Sequence, residues 1–588
     1  MKKLITFLLV AFCFNGLYAG VTLTPKYSKT TYTWNTGTNS RSATYYDGNL
    51  YVIDKGNKKV QVISAVDGSE GTAIADANFT GFSVTANSAG DLYVTSGAYG
   101  MTNNIQGTLI VGETKTYANT ALSGTGRLDF VSAYGDFATQ GYLAGASINT
   151  ADNILIWKIQ SGAFVNAAAP VVISGKRGNF YTGADINWID ETHMLVTGAS
   201  AIPKIVELDL ETPANSTSTS IGSATFGVGG GAYFKVLGRP YVALGSTQYG
   251  VVKVYDIQNP ATPVLIGETT QIGANANTTL HISVHAVVSG NKATIFIWAP
   301  NNGLAVYEME VPAKTFTVTV PQGTEKVYVA GSFTFKSWDN ADPYELTTTA
   351  NPNEFTGTFA CEDGIEYKYL NGKGNWDYQE SAGLGSTEYN AADGTPVKPA
   401  DGINRSYNAS DVVANWKAVS KFVLTADITT GGIPSDLYVK GGWDGWATAT
   451  ALAKNGTTDF TVTIGDGIDD VIYSNSGYKY YTTDMGSPEN WENRGSNRWA
   501  IYPSMTDEIA GFGTPIPSTG MNGKKVDVQI VRTSNGIEAR FNGQATIELY
   551  NLNGVLIDKA VSSDSYSHDL MNGIYVLRVN GESVKFVK

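Results

Sequence analysis

The chain has 588 residues, a formal net charge of -13, 65 Gly, 33 Tyr and 11 Trp, a length that calls for three or more separate cores. Abundant Gly and aromatics, with few amphipathic Leu, Lys or Glu stretches, point to strands and tight turns rather than helices. The acidity and the scarcity of basic clusters exclude nucleic acid and anionic membrane as main partners, because both need a positive surface.

Residues 1–20 have the three parts of a secretory signal: Lys2 and Lys3, an apolar run from Leu4 to Phe14, and Leu17-Tyr18-Ala19 before a small residue. Cys13 follows Phe12, where a lipoprotein signal needs a small residue, so lipidation is not expected. Cys361 is then the only cysteine left after processing. No intramolecular disulfide can form, and stability has to come from packing. No later apolar run is long enough to span a bilayer.

From 21 to 313, apolar strands alternate with Gly, Asn and Ser turns. Counted from Tyr51, Tyr93, Tyr142, Leu195, Val242 and Ile295, the repeat is 42 to 53 residues, the period of a propeller blade, so about six blades are expected, seven at most. Function is not decided by that fold. His281 and His285 share a face if they lie on one strand, but no nearby acid or Cys completes a metal set. Ser64 to Gly71 resembles the Asp-box turn of sialidases in part, yet lacks its Thr and closing aromatic, and reads as a turn. Asp54, Asp129, Asp185 and Asp256 lie near strand ends, and nothing in their spacing shows two carboxylates converging as glycoside hydrolysis requires.

Two modules follow, 314–415 and 416–512, in which one strand order occurs twice. Phe316 matches Phe422, Val327 matches Leu437, Glu354 matches Asp459, and EYKYL at Glu366 matches GYKYY at Gly477, at offsets of about 105 to 115 residues. The turn at Trp376 is matched with the turn at Trp491. Duplication of a β-sandwich of roughly 100 residues accounts for this. The order of a Gly-bearing strand, a Trp loop, a Phe-x-x-Thr-type strand, Glu-Tyr-Lys-aromatic, Trp-Glu and Asn-Arg resembles the family 20 starch-binding modules and their relatives in outer-membrane starch-uptake proteins. The second copy keeps Trp491-Glu492 and Asn497-Arg498, one residue longer than the family spacing. In the first copy the Asn-Arg pair is displaced by an insertion and is represented by Asn404-Arg405.

The resemblance implies a sugar platform of Trp338, Lys368 and Trp376 in the first copy, and of Trp446, Lys479, Trp491 and Asn497 in the second. Trp443 competes with Trp446 for the early-loop role. Indole faces meet the C–H face of a pyranose while Lys and Asn hydrogen-bond its hydroxyls. No catalytic residue, metal or cofactor is expected. Tyr367, Tyr369, Tyr478 and Tyr480 alternate with Lys and are expected to be half core and half ladder.

A Gly/Pro/Ser linker, 513–524, leads to the tail 525–588, where Asn553-Gly554 signals a hairpin. Ile547 to Asn551, Gly554, Leu570, Gly573 to Val576 and the closing Lys585 to Lys588 resemble the type A sorting domain of the type IX secretion pathway, a small immunoglobulin-like sandwich. That resemblance implies a partner in the secretion machinery, export through the periplasm, and release or attachment at the outer cell surface. The expected whole is all-β: a propeller, two β-sandwich modules and the tail. Its expected function is glycan binding, with an α-glucan-like polysaccharide as partner. Rival readings are a glycoside hydrolase or lyase with a catalytic propeller, and a surface adhesin.

Overall fold

The computed structural model describes residues 20–587 apart from 97–103, 112–115, 126–127, 148–151, 178–184, 199–200, 224–227, 247–249, 277–280, 334, 383–399, 430–431, 466–471, 474–476, 484–489, 501–502, 514–528, 534, 552–554, 572 and 580–581. The signal segment with Cys13, almost all of the linker and the Asn553-Gly554 turn lie outside the described residues. What is described is all-β, with three short 3-10 turns among the strands.

Residues 22–310 form six antiparallel sheets of four or five strands, taken in chain order. Their first strands are Ser40–Tyr46, Val84–Ala86, Leu128–Asp136, Asp185–Asp190, Val228–Val236 and Ser283–Ser289, and each adjoins the next until the sixth meets the first. Six meanders arranged around a closed ring of inner strands make a six-bladed propeller. The counting residues Tyr51, Tyr93, Tyr142, Leu195, Val242 and Ile295 all fall on the second strand of a blade. The last blade is completed by the first strand of the chain: Thr22–Lys29 pairs with Gly303–Glu310.

Side chains lace the ring together where backbone pairing cannot. Ser42 Oγ accepts from Val84 N at 2.9 Å, and Thr44 Oγ1 from Ala86 N at 3.1 Å. Thr85 Oγ1 accepts from Ala133 N at 3.0 Å, and Ser132 Oγ from Trp188 N at 3.1 Å. Asn187 donates to Gly231 O at 2.9 Å, and Ser283 Oγ accepts from Ala43 N at 2.8 Å. Small hydroxyl and amide residues thus satisfy buried inner-strand groups that would otherwise lack partners.

The remaining seam, between the fifth and sixth blades, closes by direct approach: a Cβ on Gly230 would stand 1.8 Å from Ile282 O. Gly230→Ala should therefore open this seam, lowering stability by about 3 kcal/mol or more. A shift of the urea midpoint checks this.

The two modules have the same topology. In the first, Ala313–Thr319 pairs with Glu354–Ala360, Val327–Gly331 with Glu366–Leu370, and Tyr344–Thr348 bridges the two layers. In the second, Tyr438–Gly441 pairs with Gly477–Thr482, and Asp459–Ile464 lies between Ala453–Asn455 and Phe422–Ile428. The tail is one five-stranded sheet built on the long strand Gly536–Asn551. The chain divides into two compact units, one holding the propeller and first module, the other holding 424–462, 477–499 and 506–588.

Candidate functional site

In each module a buried polar network underlies the loops that carry the candidate residues. Tyr478 and Tyr480 both donate to Asp507 Oδ2, at 2.6 and 2.9 Å. Arg498 donates to Glu492 at 2.9 Å and to Asp507 Oδ1 at 2.9 Å, and Glu492 Oε1 accepts from Tyr480 N at 3.1 Å. The first module repeats every member: Tyr367 and Tyr369 on Asp411 at 2.6 and 3.0 Å, and Arg405 on Glu380 and Asp411, with Glu380 accepting from Tyr369 N. Arg405 is therefore the counterpart of Arg498.

Burial and then the Asp507 charge raise the Tyr478 and Tyr480 hydroxyls far above their ordinary value. Burial alone would lower Arg498, but its carboxylate partners outweigh that and keep it charged. The four tyrosines are all buried, so the expected division into half core and half ladder is corrected to core throughout. Their hydroxyls have buried partners to reach, and alternation with Lys does not expose a ring.

This network corrects the match between the modules. Glu492 and Glu380 do the same work, so Trp491 corresponds to Gln379, not Trp376. The pairing agrees: Tyr481 lies opposite Trp491, and Leu370 opposite Gln379. The sequence match fails because both modules carry a Trp followed by an acid near the turn, Trp376-Asp377 and Trp491-Glu492, whereas the equivalent acids are Glu380 and Glu492. Lys368 Nζ donates to Gln379 Oε1 at 2.7 Å. Trp376 sits in the 3-10 turn Trp376–Tyr378, half-buried, with its ring centroid 6.1 Å from that of Trp338 and tilted by 52°. The first copy thus brings two of its candidate Trp rings together as a corner rather than a flat shelf.

The early-loop Trp is settled by backbone geometry. Trp338 has φ 51° and Trp446 φ 67°, a left-handed conformation that is an outlier for a bulky residue and costs about 1–3 kcal/mol. Each donates its N–H to the carbonyl of the Gly that ends the preceding strand, Gly331 at 2.6 Å and Gly441 at 2.9 Å. Trp446, not Trp443, is the counterpart of Trp338. Trp443 folds back, its ring 6.2 Å from that of Tyr478.

In the second copy, Trp491 packs on Tyr481 at 4.9 Å, and Tyr481 stacks on Tyr438 at 5.3 Å. Trp491 and Tyr438 are half-buried, as are Lys479 and Asn497. Lys479 lies directly opposite Lys440 on the neighbouring strand, and the Lys440 ammonium stands 5.5 Å over the Tyr481 ring. Two like charges face to face destabilise a sheet, yet here they flank a row of rings. Tyr438, Lys440 and Tyr481 are absent from the sequence-based expectation; their signal is the aromatic fifth position of GYKYY, Tyr481, where the first copy has Leu370.

In the propeller, His281, His285 and Asp185 line the central channel, where the space open to water is only about 20 Å³, room for about one molecule. His285 Nε2 lies 3.0 Å from Ala43 O, and burial lowers its pKa. Asp185 accepts from Asn187 at 2.8 Å. Burial raises its carboxyl to about 7 against these hydrogen bonds. Asp54 accepts from Asn57 and Gln61, and Asp256 pairs with Arg239. Among the described residues no group of three or more His, Cys, Asp or Glu is placed to hold a metal ion. Cys361 is buried, and burial raises its thiol to about 11, so it is a poor nucleophile.

No protein-family profile matches the chain, and no curated protein sequence does. Among solved structures, it is similar to a DUF4623 family protein from Bacteroides eggerthii, at 12% identity and TM-score 0.37, over 50% of this chain and 75% of that one. It is also similar to dihydro-heme d1 dehydrogenase NirN, at 14% identity and TM-score 0.29, over 44% of this chain and 61% of that one. No helix among the described residues is long and apolar enough to cross a membrane.

Proposed function

We propose that the chain is a secreted or surface-attached, non-catalytic glycan-binding protein, with its main site on the second module and an α-glucan-like polysaccharide as its partner. The observation that carries this reading is the row Tyr438–Tyr481–Trp491 with Lys440 and Lys479 beside it. Tyr438 and Trp491, partly exposed on either side of the buried Tyr481, offer ring faces for sugar C–H groups, and Lys440 and Lys479 can donate to sugar hydroxyls. Trp446, held at the tip of a strained loop, supplies a further indole. The corner of Trp338 and Trp376 gives the first module a weaker site. The domain limits 21–313, 314–415, 416–512, 513–524 and 525–588, the signal at 1–20, and the tail as the part read by an export machinery complete the proposal.

Affinity electrophoresis of the full chain in soluble starch tests it. Trp491→Ala should weaken retardation at least tenfold and Trp376→Ala by less, because removing a stacked ring costs about 1.5 kcal/mol or more. A wild-type chain that starch does not retard would refute the starch assignment. Retardation that Trp491→Ala leaves untouched would refute the residues.

A further inference from the structure

We infer that the rim of the seam between the third and fourth blades is a further glycan site, separate from both modules, and that it takes a segment of neutral polysaccharide. Tyr134, Tyr142 and Lys158 are neighbours across three consecutive strands of the third blade. They share the face that, further in, buries Ala144 and Ile156 against Ile186 and Met194 of the fourth blade. At the rim this apolar seam changes character. Trp188 of the fourth blade lies against the two tyrosines, its ring 5.4 Å from Tyr134 and 6.0 Å from Tyr142. All three rings stay partly exposed.

The indole is fixed in place. Its N–H donates to Ser132 O at 3.1 Å, and the Trp188 backbone N–H to Ser132 Oγ at 3.1 Å. A pre-set ring loses little entropy when a ligand lands on it. Two hairpins flank the rings with hydrogen-bonding groups: Gln140, whose Nε2 reaches Tyr142 Oη at 3.3 Å, and the exposed Glu191. Burial, with the Glu191 charge added to it, raises the Tyr142 hydroxyl.

Aromatic faces bordered by a carboxylate, an amide and an ammonium suit a ring bearing C–H groups on one face and hydroxyls at its edge. Asp136, Asp190 and Glu191 make the rim acidic, which disfavours an anionic polymer. The pocket that His281, His285 and Asp185 line has room for about one water, whereas Tyr134, Tyr142 and Trp188 stay partly exposed at the rim.

The test uses the full chain with Trp338→Ala, Trp446→Ala and Trp491→Ala combined, which removes at least one indole from each module site. It is run by affinity electrophoresis in soluble starch, hydroxyethylcellulose, galactomannan and laminarin. The expected result is retardation in at least one gel, weakened at least tenfold by Trp188→Ala and at least threefold by Glu191→Ala. Glu191 is exposed, so its variant reads binding without disturbing the fold. Two results would overturn the inference: no retardation of the triple variant in any of the four gels, or retardation that both further substitutions leave unchanged. If the unaltered chain binds starch and the triple variant binds nothing, the module reading stands and this one falls.

Discussion

Replacing Arg498 by Leu is expected to lower the stability of the second module by about 3–5 kcal/mol, the range for breaking a buried ion pair on one side. The guanidinium holds Glu492 and Asp507 together and donates to Glu508 O at 2.7 Å. The side chains of Arg498, Glu492 and Asp507 are 9%, 2% and 8% exposed. Without the cation, two carboxylates are left enclosed beside one another, and two tyrosine hydroxyls donate into an uncompensated charge. Arg405→Leu should have a smaller effect, because the Arg405 side chain is 24% exposed and water can take over part of its role. Calorimetry of the full chain reads each effect as a downward shift of the transition of the module that carries the substitution. Adding Glu492→Gln and Asp507→Asn to Arg498→Leu should restore part of the loss. A thermogram unchanged by Arg498→Leu would show that the network contributes nothing.

The second large effect is expected at Asp185. In the folded chain its carboxyl titrates near 7 rather than at its ordinary 3.8, so folding favours its protonated form. Stability from this group is full below about pH 4 and is lost as pH rises through about 7, by on the order of 3 kcal/mol. The facing titratable groups in the channel are His281 and His285. Burial lowers the pKa of His285, so its effect has the opposite sign: its stability is lost as pH falls below the ordinary histidine value. Asp185→Asn should remove the decline between pH 5 and 8 and leave the acid-side loss in place. Urea midpoints at pH 5, 6, 7 and 8 decide this. Parallel pH profiles for the two proteins would contradict it.

Much of the architecture was legible in the sequence, because strand periodicity and turn residues act locally. The blade count followed from six apolar second strands, and the duplication from matched strands such as EYKYL and GYKYY. What stayed hidden depended on contacts across the sequence. Trp376 and Trp491 look alike as Trp in a turn, and only the hydrogen bonds of Glu380 and Glu492 show that they occupy different places. The left-handed backbone of Trp338 and Trp446 has no one-letter signature, whereas a Gly there would have announced it. Tyr481 looked like one more strand aromatic until Trp491 and Tyr438 were found on either side of it. The ring of Ser42, Thr44, Thr85, Ser132 and Ser283 was equally unreadable, since single hydroxyls in apolar strands gain meaning only from the neighbouring blade.

The pairing of Thr22–Lys29 with Gly303–Glu310 sets the order in which this protein can be made. Lys26 Nζ meets Glu308 Oε2 at 3.1 Å across 282 residues of chain. At roughly 5–20 residues per second of synthesis, the first strand waits about 15–60 s for its partner to emerge. Throughout that interval it is a bare strand edge, open to wrong partners. Its own residues restrain it. Pro25 removes a donor, the register breaks between Pro25 and Tyr27, and Lys26 and Lys29 carry charge along the edge. A segment that serves as the final closure of a ring has to be a poor partner for everything else first, and TLTPKYSK is composed accordingly.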